Sequence, residues 1–245
     1  MRTESTAPRR HPEQGGYARG EETRSRIIAT AISAFGEEGY DQASTRKIAA
    51  RAGVNPPALQ YYFDSKEGLH RACAEHICDR VLAILSPALE RAAAAVRARH
   101  RREAVDGLCG VLDALVDGLV AAGSESWCRF IARGKADGAG PAMSTIRERI
   151  GIPLMDATAR LIAIATRSAP GSEVTRMRAC AVLGQVSSLY NSRENTLEVM
   201  GWSQFDPRGL DLIKSVVHAH TRAALEAAGV RPTTARSKRC SASAN

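Results

Sequence analysis

Apolar residues recur at helical spacing along almost the whole chain, and β-branched and aromatic residues nowhere alternate over six or more positions. Ile27, Ile28, Ala31, Ile32 and Phe35 form one stripe and predict a helix over about 21–38. Glu21 and Glu22 suit its positive end, and Gly39 stops it. Short helices are predicted from Ser44 to about Arg51 and from Asn55 to about Tyr62. Ser65 should cap a long helix reaching about Leu85, where Pro87 is expected to interrupt or kink the chain. Further helices are expected at about 88–99, 103–121, 126–136, 143–166, 172–192 and 207–228. Gly123-Ser124, Gly138–Pro141, Pro170-Gly171 and Asp206-Pro207 supply the breaks. The fold class is therefore all-α, with nine or ten helices and no internal repeat. Residues 1–20 and 231–245 are rich in Pro, Gly, Ser and Arg without periodicity and read as flexible tails.

Composition supports this picture: 44% of residues are hydrophobic, enough for a core, while aromatics make up only 4%. The net charge of +8 is unevenly placed. Residues 1–72 carry 11 basic and 9 acidic groups, whereas the last fifteen carry four basic groups and no acid. A uniformly basic coat for unspecific nucleic-acid binding is not what this describes. The first twenty residues lack the apolar stretch of a signal peptide, and no apolar run approaches the ~20 residues needed to span a bilayer, so a cytoplasmic protein without a membrane partner is expected. Six irregularly spaced cysteines then read as reduced thiols.

The informative stretch runs from Ser44 to Leu69. Two predicted helices are separated by three residues centred on Gly53, which can take the positive φ of a sharp corner. Ala49 lets the second helix cross closely, and Ile48, Val54 and Leu59 are spaced to fill the wedge. Together they describe a helix-turn-helix whose second helix would enter the major groove of double-stranded DNA. Tyr61, Tyr62 and Phe63 follow, three of only eleven aromatics, and then a new helix start at Ser65-Lys66-Glu67. Thr45, Arg46, Tyr61, Tyr62 and Lys66 are candidate phosphate contacts. Asn55, Pro57, Ala58 and Gln60 are candidate base-facing residues.

This stretch resembles the TetR family of bacterial regulators. The resemblance runs from Thr23 to Leu69 through Phe35 and Gly39, Thr45-Arg46-Lys47-Ile48-Ala49, Ala52-Gly53-Val54, Tyr61-Tyr62-Phe63 and Ser65-Lys66-Glu67. Pro56-Pro57 departs from the polar residues common at those positions and offers no hydrogen bond to a base. Arg129–Arg133, Leu183-Gly184-Gln185, Arg193-Glu194 and Gly201–Asp206 resemble the effector domain of the CecR-like branch, whose members are linked to antibiotic or xenobiotic sensitivity. The resemblance implies a DNA-binding domain at 21–66 and an effector-binding and dimerisation domain at 67–230. It also implies a homodimeric repressor released from a palindromic operator by a small molecule, with the last two long helices pairing across the two-fold. Val174, Met177, Ala181, Gly184, Gln185 and Ser188 form one candidate seam; Leu210, Ile213, Val217, Thr221 and Leu225 form its companion.

For the effector, Trp127, Arg129, Phe130 and Arg133 combine aromatic surface with cations, and Tyr190 with Arg193 is a second candidate group. A planar, anionic molecule fits the first set. A regulator sensing oxidation through its cysteines is the alternative. Cys73, His76 and Cys78 cannot converge on a metal, because Cys78 lies about 160° from His76 around a helix. No catalytic signature is present and no cofactor is expected.

Overall fold

Helices account for every regular element in the computed structural model, which describes residues 13–138 and 140–229. They are α1 (Glu13–Glu38), α2 (Thr45–Arg51), α3 (Pro56–Phe63), α4 (Lys66–Ala98) and α5 (Arg101–Asp117), the last followed by a 3-10 turn at Gly118–Val120. After these come α6 (Ser124–Ala136), α7 (Pro141–Ile146), a π-helical segment at Arg147–Gly151, and α8 (Ile152–Thr166). The chain continues through α9 (Glu173–Asn191), α10 (Arg193–Met200) and α11 (Pro207–Gly229).

Several boundaries differ from those expected. The first helix begins at Glu13, not near residue 21. At Gly20 the added stretch passes close to α3, where a Cβ would lie 3.7 Å from the Tyr62 hydroxyl. The tail expected over 1–20 is thus helical from residue 13; residues 1–12 and the tail at 231–245 lie outside the described residues. Pro87 does not end a helix, and the expected 88–99 helix is the second half of α4. Both Pro87 and Ala83, whose carbonyl loses its donor, are exposed, so water can replace the missing bond. The expected 143–166 helix is divided by the π segment, where Pro153 cannot donate to Arg149. Helix α10 was not anticipated: none of its eight residues is fully buried, and Leu197 packs only partly against the core.

The helices form two compact units, the first comprising the chain up to Leu82 with Ala121–Gly151, the second Ala83–Val120 with Ile152 onward. Residues 121–151 therefore cluster with the N-terminal helices, although they follow them by a long stretch of sequence. In the first unit the predicted stripe of α1 meets Ile48 and Ala49 of α2, Leu59 and Phe63 of α3, Leu69 and Ile77 of α4, and Trp127 and Phe130 of α6. Helices α1 and α6 approach closely at Gly36, where a Cβ would sit 3.1 Å from the Phe130 backbone nitrogen. The second unit buries Leu108, Leu112 and Val116 of α5 against Leu161 and Ile162 of α8, Val182 and Val186 of α9, and Val217 and Leu225 of α11. The companion seam is corrected by this packing. Leu210, Val217, Thr221 and Leu225 face the core of their own unit, and Ile213 packs against it. The large apolar residues that α11 leaves exposed are Leu212 and Val216.

At the centre of the first unit His70 lies among the rings of Phe35 (4.7 Å), Tyr40 (4.7 Å) and Phe130 (4.9 Å). Burial, reinforced by the Lys66 ammonium and only partly offset by Asp137, pushes its pKa down to about 4. The unfolded imidazole titrates near 6.5, so protons bind the unfolded chain first as the pH falls. Stability should therefore be intact above about pH 6.5 and decline progressively towards pH 4. Melting curves between pH 7.5 and pH 4.5 check this: His70→Phe should flatten the decline, and an unchanged slope would locate the proton-sensitive group elsewhere.

Candidate DNA interface

The helix-turn-helix is assembled by local hydrogen bonds. Ser44 caps α2, its Oγ accepting from the Lys47 amide at 3.5 Å. At the other end the Val54 amide donates to the Ala49 carbonyl (3.0 Å) and that of Gly53 to Ala50 (3.1 Å), with Gly53 at φ 66°. This is the corner the sequence demanded, made by glycine in a left-handed conformation. Asn55 then caps α3, accepting from the Ala58 amide at 2.8 Å.

Pro56 and Pro57 occupy the first turn of α3, where an amide would have no partner inside the helix. With the Ala58 amide held by Asn55, the start of α3 presents exposed hydrocarbon rather than backbone donors. Pro57, Gln60 and Tyr61 share the exposed side, and Tyr61 is 83% accessible. Gln60 donates its amide to the Asp64 carbonyl, closing the end of α3 and leaving its side-chain oxygen as an acceptor. Arg46 is exposed in the first turn of α2 beside half-buried Thr45. Tyr62 is half-buried and meets the edge of Tyr61. Lys66 donates to the Asp41 carbonyl at 3.0 Å and lies over the Tyr40 ring, which leaves two of its protons for other acceptors.

Sequence reasoning missed the groups that fasten this motif. Arg26 of α1 donates to the Ala52 carbonyl at 2.9 Å, tying the corner to the first helix. Arg24 stacks over Phe63, and Arg51 pairs with Glu37. None of these has a periodic signature, because each contact joins an exposed side of one helix to the end of another. Asp64 takes φ 58° to turn the chain from α3 into α4. Gly68 did have a signal, a glycine in a first helical turn. A Cβ there would fall within 2.2 Å of the Phe63 carbonyl oxygen, a backbone atom that cannot step aside.

The effector candidates divide between the two units. Trp127 borders a cleft of about 340 Å³ in the first unit, together with Ser25, Ile32, His76, Arg80 and Ser126. Phe130 is 1% exposed and serves the core. Arg129 pairs with Glu125 at 2.9 Å and Arg133 with Asp137 at 3.2 Å, and Asp137 also accepts from the Tyr40 amide. In the second unit Tyr190 donates to the Leu115 carbonyl, while Arg193 donates to the Leu119 carbonyl at 2.8 Å and stacks on Phe205. The thiols of Cys73, Cys78 and Cys109 are buried, and burial pushes each away from the thiolate form that oxidation needs. Cys240 lies outside the described residues.

A corner of this geometry, offering the exposed side of a short second helix, defines a helix-turn-helix DNA-binding regulator of transcription. Residues 27–73 match the family described as bacterial regulatory proteins, tetR family, and residues 104–228 match the C-terminal domain of the HTH-type transcriptional dual regulator CecR. The chain is 31% identical over 206 residues to the HTH-type transcriptional dual regulator CecR of Shigella flexneri, covering 82% of this chain and 91% of that protein. A segment of 49 residues, 20% of this chain and 23% of the relative, is 43% identical to the class A tetracycline repressor protein from transposon 1721 of Escherichia coli. The fold resembles that of a transcriptional regulator from Rhodococcus (TM-score 0.58, 21% identity, 85% of this chain and 99% of that one). It also resembles AibR, solved with isovaleryl coenzyme A and operator DNA (TM-score 0.56, 20% identity, 81% and 97%). The protein belongs to the TetR family of transcriptional regulators, in the CecR-like branch. Its relatives regulate transcription and are not enzymes. Among the described residues no helix is long and apolar enough to cross a membrane.

The junction between α3 and α4 should tolerate no side chain at Gly68. Gly68→Ala is expected to reduce DNA binding at least tenfold and to lower the melting temperature, because the Phe63 carbonyl must move. Gly53→Ala, whose Cβ meets nothing within 4 Å, should cost only the strain of its left-handed backbone, roughly 1 kcal/mol. A filter-binding comparison of the two variants decides the point, and equal losses would show that steric contact at Gly68 is not what matters.

Proposed function

We propose that this regulator is a cytoplasmic, homodimeric repressor that reads a palindromic operator and leaves it when a small organic anion binds. The observation that carries the operator part is the hydrocarbon-rich, exposed start of α3. In this reading Arg46, Thr45, Tyr61, Tyr62 and Lys66 hold the phosphate backbone, which their exposed or half-buried positions support. Pro57 and Ala58 would touch thymine methyl groups, with Asn55 and the free acceptor of Gln60 as polar readers.

The dimer reading rests on apolar surface left outside. Val174 is 58% and Met177 69% exposed on α9, while Leu212 and Val216 are exposed on α11. Ala181, Gly184 and Ser188 continue the α9 face with small side chains that permit close approach. An apolar face of this kind fits a second copy of itself across a two-fold axis. Val216→Arg changes an exposed residue and should leave the fold intact while converting dimer to monomer. Light scattering should report the mass change, and the two-fold symmetric footprint on the protein's upstream DNA should disappear. A monomeric wild type, or a variant that stays dimeric, would exclude this face as the interface.

For the effector we favour the Trp127 cleft. Its aromatic wall is joined by His76 and Arg80, one turn apart on α4, the helix shared by both units. Arg129 and Arg133 then act on α6 through their carboxylate partners, Phe130 supports the wall from the core, and Tyr190 with Arg193 holds the end of α5. An anion preferring one position of α4 would shift the DNA head between states. With 2-naphthoate as probe, Trp127→Leu and Arg80→Gln should keep operator affinity within about twofold but require at least tenfold more probe for release. Release at wild-type probe concentrations in both variants would move the site elsewhere.

A further inference from the structure

Two helices of the second unit end in the same unusual way. At the end of α4 Arg99 takes φ 53°, its amide donating to the Ala95 carbonyl at 3.2 Å. At the end of α8 Arg167 takes φ 55°, and the next amide, that of Ser168, donates to the Ala163 carbonyl at 2.9 Å. Both are left-handed helix stops, the position that glycine ordinarily fills because it has no Cβ. Here each carries a long cation instead, and both line one open cleft of about 520 Å³. A third arginine, Arg160, lines it as well, while Val96 and Ile164 supply an apolar wall. Ser168 stands at the edge, its hydroxyl held at 2.9 Å from that of Thr166 and 2.7 Å from that of Thr175.

The residues lining this cleft carry an excess of positive charge. Among the described residues no carboxylate lines it, and the acidic partner is Asp156, bonded to Arg160 at 2.7 Å. Cations do favour helix C-termini, and that effect accounts for Arg99 and Arg167 taken singly. It does not account for their convergence on a common cavity with a third arginine. Three arginines lining one space match the several oxygens of a phosphoryl group, which guanidiniums bind in pairs.

We propose that this cleft binds a small soluble ligand bearing a phosphoryl group, with Arg99, Arg160 and Arg167 as its anchors and a short apolar portion against Val96 and Ile164. The site lies in a different compact unit from the Trp127 cleft and stands whether or not an effector acts there.

Inorganic pyrophosphate is the probe, followed by calorimetry and thermal melting of the full chain. Saturable binding at about 1 mM or tighter is expected, with a melting temperature raised by roughly 3 °C at ten times Kd. Arg99→Gly and Arg167→Gly are the informative variants, since glycine adopts their backbone conformation freely. Each should keep or raise the melting temperature of the free protein yet weaken pyrophosphate binding roughly tenfold, the scale of one charged hydrogen-bonded pair. Arg160→Gln should weaken it similarly. If the glycine variants lose stability and pyrophosphate binding is unchanged, the arginines are helix caps and the proposal fails. It fails equally if pyrophosphate does not bind, if anionic phosphatidylglycerol vesicles bind where pyrophosphate does not, or if the same variants lose operator DNA.

Discussion

The close approach of α1 and α6 is the contact on which the DNA head depends. Gly36 lets the two backbones come together, and Phe35 and Phe130 then enclose His70 with Tyr40. Everything that orients the reading helix is built outward from this centre. Arg26 reaches from α1 to hold the corner, and Lys66 bridges the start of α4 to the loop after α1. Asp137 at the end of α6 binds the Tyr40 amide in that loop. A residue far along the chain thereby steadies the loop after α1, within the unit that joins 121–151 to the chain up to Leu82.

Local chemistry made the DNA-binding part legible. The corner at Gly53, the caps at Ser44, Asn55 and Ser65, and the stripe of α1 act within a few residues of themselves, and each stands where the spacing predicts. The start of α1 and the continuity of α4 depended on partners and on solvent, which spacing does not encode. Pro87 is a case in point: its effect on a helix is decided by whether water can reach the Ala83 carbonyl.

The effector candidates show a different limit. Aromatic and arginine residues in one short tract attract attention, but composition does not say which side of a helix faces a cavity. On α6 the core takes Phe130, neighbouring carboxylates engage Arg129 and Arg133, and Trp127 of the tract lines the cleft. The residues that join it, His76 and Arg80, lie some fifty positions earlier and look in isolation like an ordinary solvated turn. The dimer seam failed on α11 for a related reason, since an apolar stripe there had to choose between its own core and a partner.

The paired prolines at the start of α3 have a thermodynamic consequence. A helix of eight residues is marginal by itself, because nucleation fixes several dihedral angles for one hydrogen bond. Pro56 and Pro57 set two of those angles in the unfolded chain, and Asn55 closes the remaining amide. In the proposed reading, α3 meets DNA already formed. The heat-capacity change of association then measures water leaving the two contact surfaces, with no contribution from coupled folding of the segment that does the reading.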